Sequence, residues 1–509
     1  MAFYSECLIV QLFGLLLAIV GTVYVYLKYV TFNYWSSKNV DYIKPVVPVG
    51  SLWPVLSQKT SLGENNSFLE TKRPIYGFYT FHRPMLVIND PELIRVVLTK
   101  EFSHFHDRGL TCNEKGDPLA SNLFLLPGSR WKMLRAKFSP TFTSSKMKQM
   151  FFTVKDCAEV LTAYVGHIAK KSELVEVKDL MARYSTDVIA STAFGIQCNS
   201  VENPDADFRK YGRRVFEPRP LQNALSILIP RIALLFNFQC VDEDIANFFI
   251  NAFKETVEYR TANNVVRKDF LDLVMQLINK GYIQDQDAKE SGPMLGNFQL
   301  DSLANTAQAF LFWLAGFETS STTATYCLYE LALNQDIQDK VADEINTVLK
   351  EFGGVTYESI KKMNYLHKVV SETLRKYPSL PFLNRECTKD CDLPGTGLRV
   401  EKGTAILIPV LGLHSDPEIY PKPEKFDPER FTEENIASRH QYAYLAFGEG
   451  PRNCIGMRFG LVQTKVSLLS LLSKYRFKPG PNLKVPIEMD KGNFVLSAKG
   501  GITLRVEMR

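Results

Sequence analysis

A chain of 509 residues with 45% hydrophobic composition can bury a large core, which excludes a disordered or fibrous protein. The 60 Lys and Arg against 55 Asp and Glu leave a net charge of +5, too mild for a nucleic-acid binder, and no basic run of that type occurs. The 9 cysteines are an odd number without framework spacing, and they read as reduced thiols facing a cytosolic compartment.

From Leu8 to Leu27 the chain carries no charge over 20 residues, about 30 Å as a helix, which matches a bilayer core. Tyr24, Tyr26, Tyr29, Tyr34 and Trp35 crowd its exit as interfacial aromatics do. A cleaved signal peptide is the competing reading, but it would have a basic start and a shorter apolar core. Here Glu6 precedes the run and Lys28, Lys38 and Lys44 follow it, which predicts a retained anchor with the body in the cytosol. We expect an anchor helix over 1–30, a proline-containing connector over 31–50 and the remaining 51–509 as the catalytic part. Lys44–Gly50, with Pro45 and Pro48, reads as a stiff connector because prolines disfavour helix. Around Arg83-Pro84, the β-branched and aromatic stretch Ile75–Ile88 predicts a small hairpin.

Ser129–Arg135 opens a helix on which Trp131 and Arg135, four apart, share a face; a surface cation–π pair is the plain reading. Leu225–Phe238 is apolar but contains Pro230, so a broken segment is expected there, either core or mobile lid. The polar stretch Gln284–Asn297 reads as a solvent loop. A helix is predicted from about Leu300 to Asn334. Its Gly316 costs about 1 kcal/mol relative to Ala and wants a reason, and its Thr319 hydroxyl can bond back to the preceding turn. His367–Tyr377 is helical, with Glu372 and Arg375 three apart on one face.

Near the C-terminus stands Phe447-Gly448-Glu449-Gly450-Pro451-Arg452-Asn453-Cys454-Ile455-Gly456, followed by an apolar helix pattern. The glycines and the proline force an irregular backbone before a single cysteine. A thiolate is a soft ligand, and with no second Cys or His at short spacing it suits haem iron better than zinc. Arg452 is placed to neutralise a haem propionate. Eight of the nine cysteines read as small buried hydrophobes.

This run matches Phe-x-x-Gly-x-Arg-x-Cys-x-Gly at every fixed position, and by it the chain strongly resembles the haem-thiolate monooxygenases, the cytochrome P-450 superfamily. The local wording around Leu314–Thr319 and Ala446–Gly456 is most similar to the insect microsomal branch that handles plant toxins and insecticides. The resemblance implies a mainly α fold with a smaller β-rich part, in place of the roughly three domains that length alone suggests. It implies haem b with Cys454 as the axial ligand to iron, and Arg108, Trp131, Arg135, Arg385, Phe447, Arg452, Gly456 and Ala315 around the cofactor. It makes Ala315-Gly316-Phe317-Glu318-Thr319 the distal motif, in which small residues leave a groove for dioxygen and Glu318 with Thr319 relays protons. Many relatives carry Asp where Glu318 stands. Glu372 and Arg375, joined by Arg430 of Pro428-Glu429-Arg430-Phe431, become a buried support for the loop presenting Cys454. Phe310, Ala315, Phe382, Leu383 and Val495 of the tail turn Gly492–Ser497 would border an apolar substrate pocket.

No Rossmann glycine fingerprint or flavin domain occurs, so electrons must come from outside. Relatives take them from an NADPH-dependent flavoprotein reductase, and cytochrome b5 is a second expected donor; Lys132, Lys137 and Arg452 would sit on the docking face. The substrates implied are small lipophiles, either xenobiotics or endogenous lipids and hormones, and the implied location is the endoplasmic reticulum membrane. A reductase-independent isomerase or dehydratase, or a non-catalytic haem protein binding lipophiles, is disfavoured by the presence of Glu318 and Thr319.

Overall fold

Residues Ala2–Tyr29 form one helix, α1. Within Ile9–Ser37 an 18-residue window has mean hydropathy 2.1 and no buried residue, and Ile9, Val10, Phe13 and Tyr29 are all more than 60% exposed. A helix apolar on every side and exposed along its length fits a membrane anchor by length and composition. The computed structural model describes residues 2–56, 73–110, 113–114, 116–217, 239, 241–280, 302–490 and 495–509. The predicted broken segment Leu225–Phe238, the loop Gln284–Asn297 and the first residues of the tail turn lie outside them.

Two units follow from the chain's own contacts: 1–109 with 382–413, and 110–381 with 414–509. The first holds the β-rich part. Strands β1 (Ile75–Thr80) and β2 (Arg83–Ile88) are the predicted hairpin, with Thr80 opposite Arg83 and Phe81 at φ 55° in the two-residue turn. In the second unit β3 is Leu174–Glu176, antiparallel to the last strand of the chain. Back in the first unit, β4 (Leu383–Glu386) and β7 (Ala405–Ile408) complete a sheet of order β1-β2-β7-β4, and β5 (Cys391–Asp392) pairs with β6 (Arg399–Val400). Its core is built from Trp35, Tyr76, Phe78, Tyr79, Leu86, Ile406 and Ile408. A side chain on Gly77 would run into Trp35 at 2.3 Å, so glycine there admits the indole flat against β1.

The proline connector is tied down more firmly than its composition suggests. Val46 and Gly50 exchange backbone bonds of 2.8 Å, Gly50 sits at φ 70°, and Ser51 N–H donates to Tyr79 O at 2.8 Å. What reads in the sequence as a spacer is a turn laid along β1.

The second unit is helical: α2 (Gly128–Phe138), α3 (Ser144–Lys170), α4 (Val177–Ile189), α5 (Asp207–Val215), α6 (Glu243–Ala262), α7 (Phe270–Lys280), α8 (Ser302–Leu333), α9 (Gln335–Phe352), α10 (Asn364–Lys376) and α11 (Met457–Leu472). Strands β8 (Tyr475–Pro479) and β9 (Thr503–Met508) pair beside β3. The 32-residue α8 runs through the middle and packs on α4, α6, α10 and α11. A Cβ on Gly316 would meet Ile189 Cδ1 at 2.6 Å, and one on Gly212 would meet Trp313 at 2.7 Å. The reason for the mid-helix glycine is therefore the close approach of α4.

Candidate functional site

The cysteine turn is closed by its own main chain. Cys454 N–H donates to Phe447 O at 2.8 Å, Asn453 N–H to Gly450 O at 3.0 Å, and Gly448 N–H to Leu445 O at 2.9 Å. Gly448 and Gly450 adopt φ 66° and 76°, which side chains with a Cβ disfavour. Gly456 is the N-cap of α11, so the cysteine lies just ahead of a helix start whose free N–H groups favour negative charge.

One cation from distant sequence reaches this turn, and a second belongs to it. Arg135 donates from Nη1 to Asn453 O and from Nη2 to Asn453 Oδ1, both at 2.7 Å. Burial pulls its guanidinium down from the ordinary arginine range, and the nearby Cys454 charge pushes the other way, which places Arg135 within electrostatic reach of the sulfur. Arg452, 3% exposed, lies over the Trp131 ring at 4.2 Å and donates to Leu126 O at 2.9 Å. The cation stacked on Trp131 is thus Arg452 and not Arg135. Its burial also removes Arg452 from any protein-docking face, whereas Lys132 is exposed.

The cysteine turn and the distal motif converge because α11 crosses α8. Phe312 and Phe459 meet ring to ring at 5.2 Å, and a Cβ on Gly460 would lie 3.5 Å from Ser320 Oγ. Between those two contacts on α8 stand Ala315, exposed, and Thr319, half-buried, in a helix otherwise packed. Thr319 Oγ1 donates to Ala315 O at 2.6 Å. Its own carbonyl accepts from the hydroxyls of Thr323 at 2.8 Å and Ser379 at 3.3 Å. Glu318 points elsewhere: its carboxylate takes a 2.7 Å bond from Lys178 Nζ on α4.

Glu372 and Arg375 are wholly buried and joined by two bonds of 2.7 and 2.9 Å. Arg430 Nε lies 3.5 Å from Glu372 Oε1, so the three expected residues do meet. Burial pushes the Glu372 carboxyl up, opposed by Arg375 and by the Asp427 N–H. Arg375 also donates to His414 O and Pro423 O. His414 links this support to the cysteine turn: Leu445 N–H donates to His414 Nε2 at 2.9 Å, so Nδ1 carries the proton and faces Arg375 O at 3.1 Å.

Burial pushes the His414 imidazole down to about 3. That folded value is below the unfolded one near 6.5, so the contribution of neutral His414 is fully present above about pH 6.5. It is lost on acidification through that window at about 1.4 kcal/mol per pH unit. Denaturant unfolding of the wild type should therefore weaken more steeply between pH 6.5 and 4 than that of His414→Gln; equal slopes would show that His414 does not titrate on unfolding.

In the first unit, Asn384 Nδ2 donates to Arg108 O at 2.6 Å and Asp107 bridges Glu386, so Arg108 and Arg385 stand on adjoining backbone. Arg385 is 2% exposed and donates to Asn384 O. Phe382 and Leu383 are half-buried. Phe310 is 2% exposed and packs ring to ring against Phe249 and Trp313 at 5.1 and 6.0 Å, on the face of α8 turned to α6. Val495 is 6% exposed, next to Leu496, whose N–H reaches Ser379 O. The tail doubles back as expected, with Asp490 N–H donating to Ser497 O at 2.8 Å. Sequence reasoning missed Lys178, Ser379, Asn453 and His414, whose roles come only from partners remote in the chain.

The donor set fits haem. Among the described residues Cys454 belongs to no group of three or more metal-ligating atoms, which excludes a zinc site there and leaves a single exposed sulfur with buried cations beside it.

The chain matches the family model described as Cytochrome P450 over residues 44–505. It is 40% identical over 514 residues to "Cytochrome P450 6k1" of Blattella germanica, covering 98% of this chain and 97% of that protein. It is 41% identical over 491 residues to "Probable cytochrome P450 6a14" of Drosophila melanogaster, covering 94% and 95%, and 40% identical over 507 residues to "Cytochrome P450 6a2" of the same fly, covering 97% and 98%.

Proposed function

The chain belongs to the cytochrome P450 family, and from that premise we propose that Cys454 is the residue that would hold the haem iron in its monooxygenase reaction. The observation that carries this reading is the backbone-closed turn that presents one sulfur ahead of α11, with Arg135 bonded to the neighbouring residue. Haem b, when bound, supplies the binding and activation of dioxygen, with reducing equivalents from NADPH. Everything else is the protein's task. In the second unit Trp131, Arg135 and Arg452 are the residues that would hold the cofactor's carboxylates; in the first, Arg108 and Arg385 are the corresponding candidates. Phe447, Gly456 and Ala315 shape the surfaces it rests on.

Thr319 is the proton-handling hydroxyl. Its hydrogen rests on Ala315 O, and its lone pairs stay open to a water. Glu318 is the acid of the pair, but Lys178 holds its carboxylate on the α4 side, so a proton passes to Thr319 by water or after that carboxylate turns. Thr319→Ala should keep haem and NADPH oxidation while product per NADPH falls by roughly 10-fold or more, within the usual range for a positioned proton donor, with hydrogen peroxide making up the difference. Fully coupled turnover in that variant would remove the relay role.

The anchor occupies 1–30, the connector 31–50 and the catalytic part 51–509. The anchor holds the body on the cytosolic side of the endoplasmic reticulum, as the lysines following the apolar run indicate. The reductase docks on a face that includes Lys132, and cytochrome b5 uses the same face as a second donor. Substrates are small lipophiles such as plant toxins or insecticides; Phe382 and Leu383 in the first unit and Ala315 in the second are the candidate contacts. Purified protein with an NADPH-dependent reductase should form oxygenated product and consume NADPH only when both proteins are present. Product without reductase would instead indicate an isomerase or dehydratase.

A further inference from the structure

The haem turn leaves unused a second group of ligand atoms in the first unit. One Glu101 carboxylate oxygen, a ring nitrogen of His104 and the Cys391 sulfur all lie within 4.8 Å of one another. Around a tetrahedral zinc ion at about 2.0–2.3 Å, ligand atoms stand roughly 3.3–3.8 Å apart, so the group needs only small side-chain rotations to close. Glu101 Oε2 and His104 Nδ1 are already 3.2 Å apart. Both side chains remain partly exposed, giving an ion an entry path, while Cys391 is 8% exposed and forms the floor.

The backbone fixes the three residues against one another. Thr388 N–H and its Oγ1 both bond His104 O, at 2.7 and 3.0 Å, joining the 102–104 turn to the loop that leads to Cys391. Cys391 then pairs with Val400 across β5 and β6, and Gly403 N–H bonds Cys387 O at 2.6 Å. Cys387 stands apart from the ligand set, its thiol turned to Lys389 O at 3.1 Å.

We propose that Glu101, His104 and Cys391 bind a zinc ion through one carboxylate oxygen, one imidazole nitrogen and one sulfur, with water as the fourth ligand. One soft, one intermediate and one hard donor select zinc over magnesium or calcium, which take oxygen ligands alone. Three protein ligands plus water describe an exchangeable site more than a closed structural one. The ion would clip the turn four residues before Arg108 to the loop six residues after Arg385, bracing both of the first unit's cofactor arginines.

The test uses the haem-loaded protein, freed of metal by a chelator and titrated with zinc chloride against a chromophoric competitor. About one zinc per haem is expected, with binding at least ~10-fold weaker in both His104→Ala and Cys391→Ala, and zinc K-edge absorption showing one sulfur at about 2.3 Å. The carbon-monoxide difference spectrum reports whether each variant is folded, and Cys391→Ser replaces the alanine variant if that one loses haem. No zinc uptake, unchanged binding in the folded variants, or a zinc shell without sulfur would overturn the site.

Discussion

Cys454→Ser is expected to lower haem retention by about 100-fold and to abolish the red-shifted Soret band of the carbon-monoxide-bound ferrous protein, with turnover falling to background. The substitution is nearly isosteric, so the turn itself should survive: its closing bonds run from Cys454 N–H to Phe447 O and from Asn453 N–H to Gly450 O, and neither involves the side chain. What changes is the donor. A soft sulfur near the Arg135 cation and ahead of a helix start is replaced by a hard, neutral hydroxyl, a poor ligand for haem iron. Folded protein that keeps the red-shifted band and normal haem content would refute the assignment of the ligand. The exposure of Cys454 sets it apart from Cys157, Cys198 and Cys327, whose thiols burial pushes up and so keeps protonated.

The second large effect concerns Arg375→Ala. Two ion pairs in this chain share the same i, i+3 spacing and differ in burial. Lys361 and Glu358 are 54% and 49% exposed, while Arg375 and Glu372 are both 0% exposed. Solvent and salt screen the first, so Lys361→Ala should cost under about 1 kcal/mol. Removing Arg375 strands Glu372 in the interior and deprives the His414 and Pro423 carbonyls of their donor, which should cost about 3–5 kcal/mol. The measurement is the denaturant concentration at which the Soret band is lost, together with the yield of haem-loaded protein. The double variant Glu372→Leu with Arg375→Met should cost less than the sum of the two single changes, because neither charge is then left alone. An Arg375→Ala protein as stable as the wild type would show that the pair does not support the cysteine turn.

Features written into contiguous residues were legible before any coordinates. The apolar anchor, the Ile75–Ile88 hairpin and the helices carrying Trp131, Thr319 and Glu372 announce themselves by run length, periodicity or turn chemistry. Partners brought in by folding were not. Lys178 and Glu318 are 140 positions apart, and nothing near either residue names the other. Arg452 and Trp131 lie on different elements, so helical spacing offered Arg135 as the stacked cation, although the ring receives Arg452. Nor does the sequence say which face of α8 Phe310 occupies: an apolar residue on a long helix carries no mark of which neighbours it meets, and here it meets Phe249 of α6. Gly316 could be singled out as costly in a helix, but its cause, the Ile189 side chain pressing from α4, needed the packing.

The main-chain closure of the 447–454 turn has a consequence for how freely this part of the chain can vary. Because carbonyls and amides set the position of the sulfur, the exposed Pro451 side chain can be exchanged without moving the donor atom, whereas the half-buried Glu449 carboxylate is itself tied to the Gly450 N–H and to Gln441. The tolerance ends at Gly448 and Gly450, where any Cβ would have to enter a disfavoured backbone region. The loop thus acts as a mould cast in backbone, and surface adaptation to different electron donors can proceed around it while the ligand stays in register.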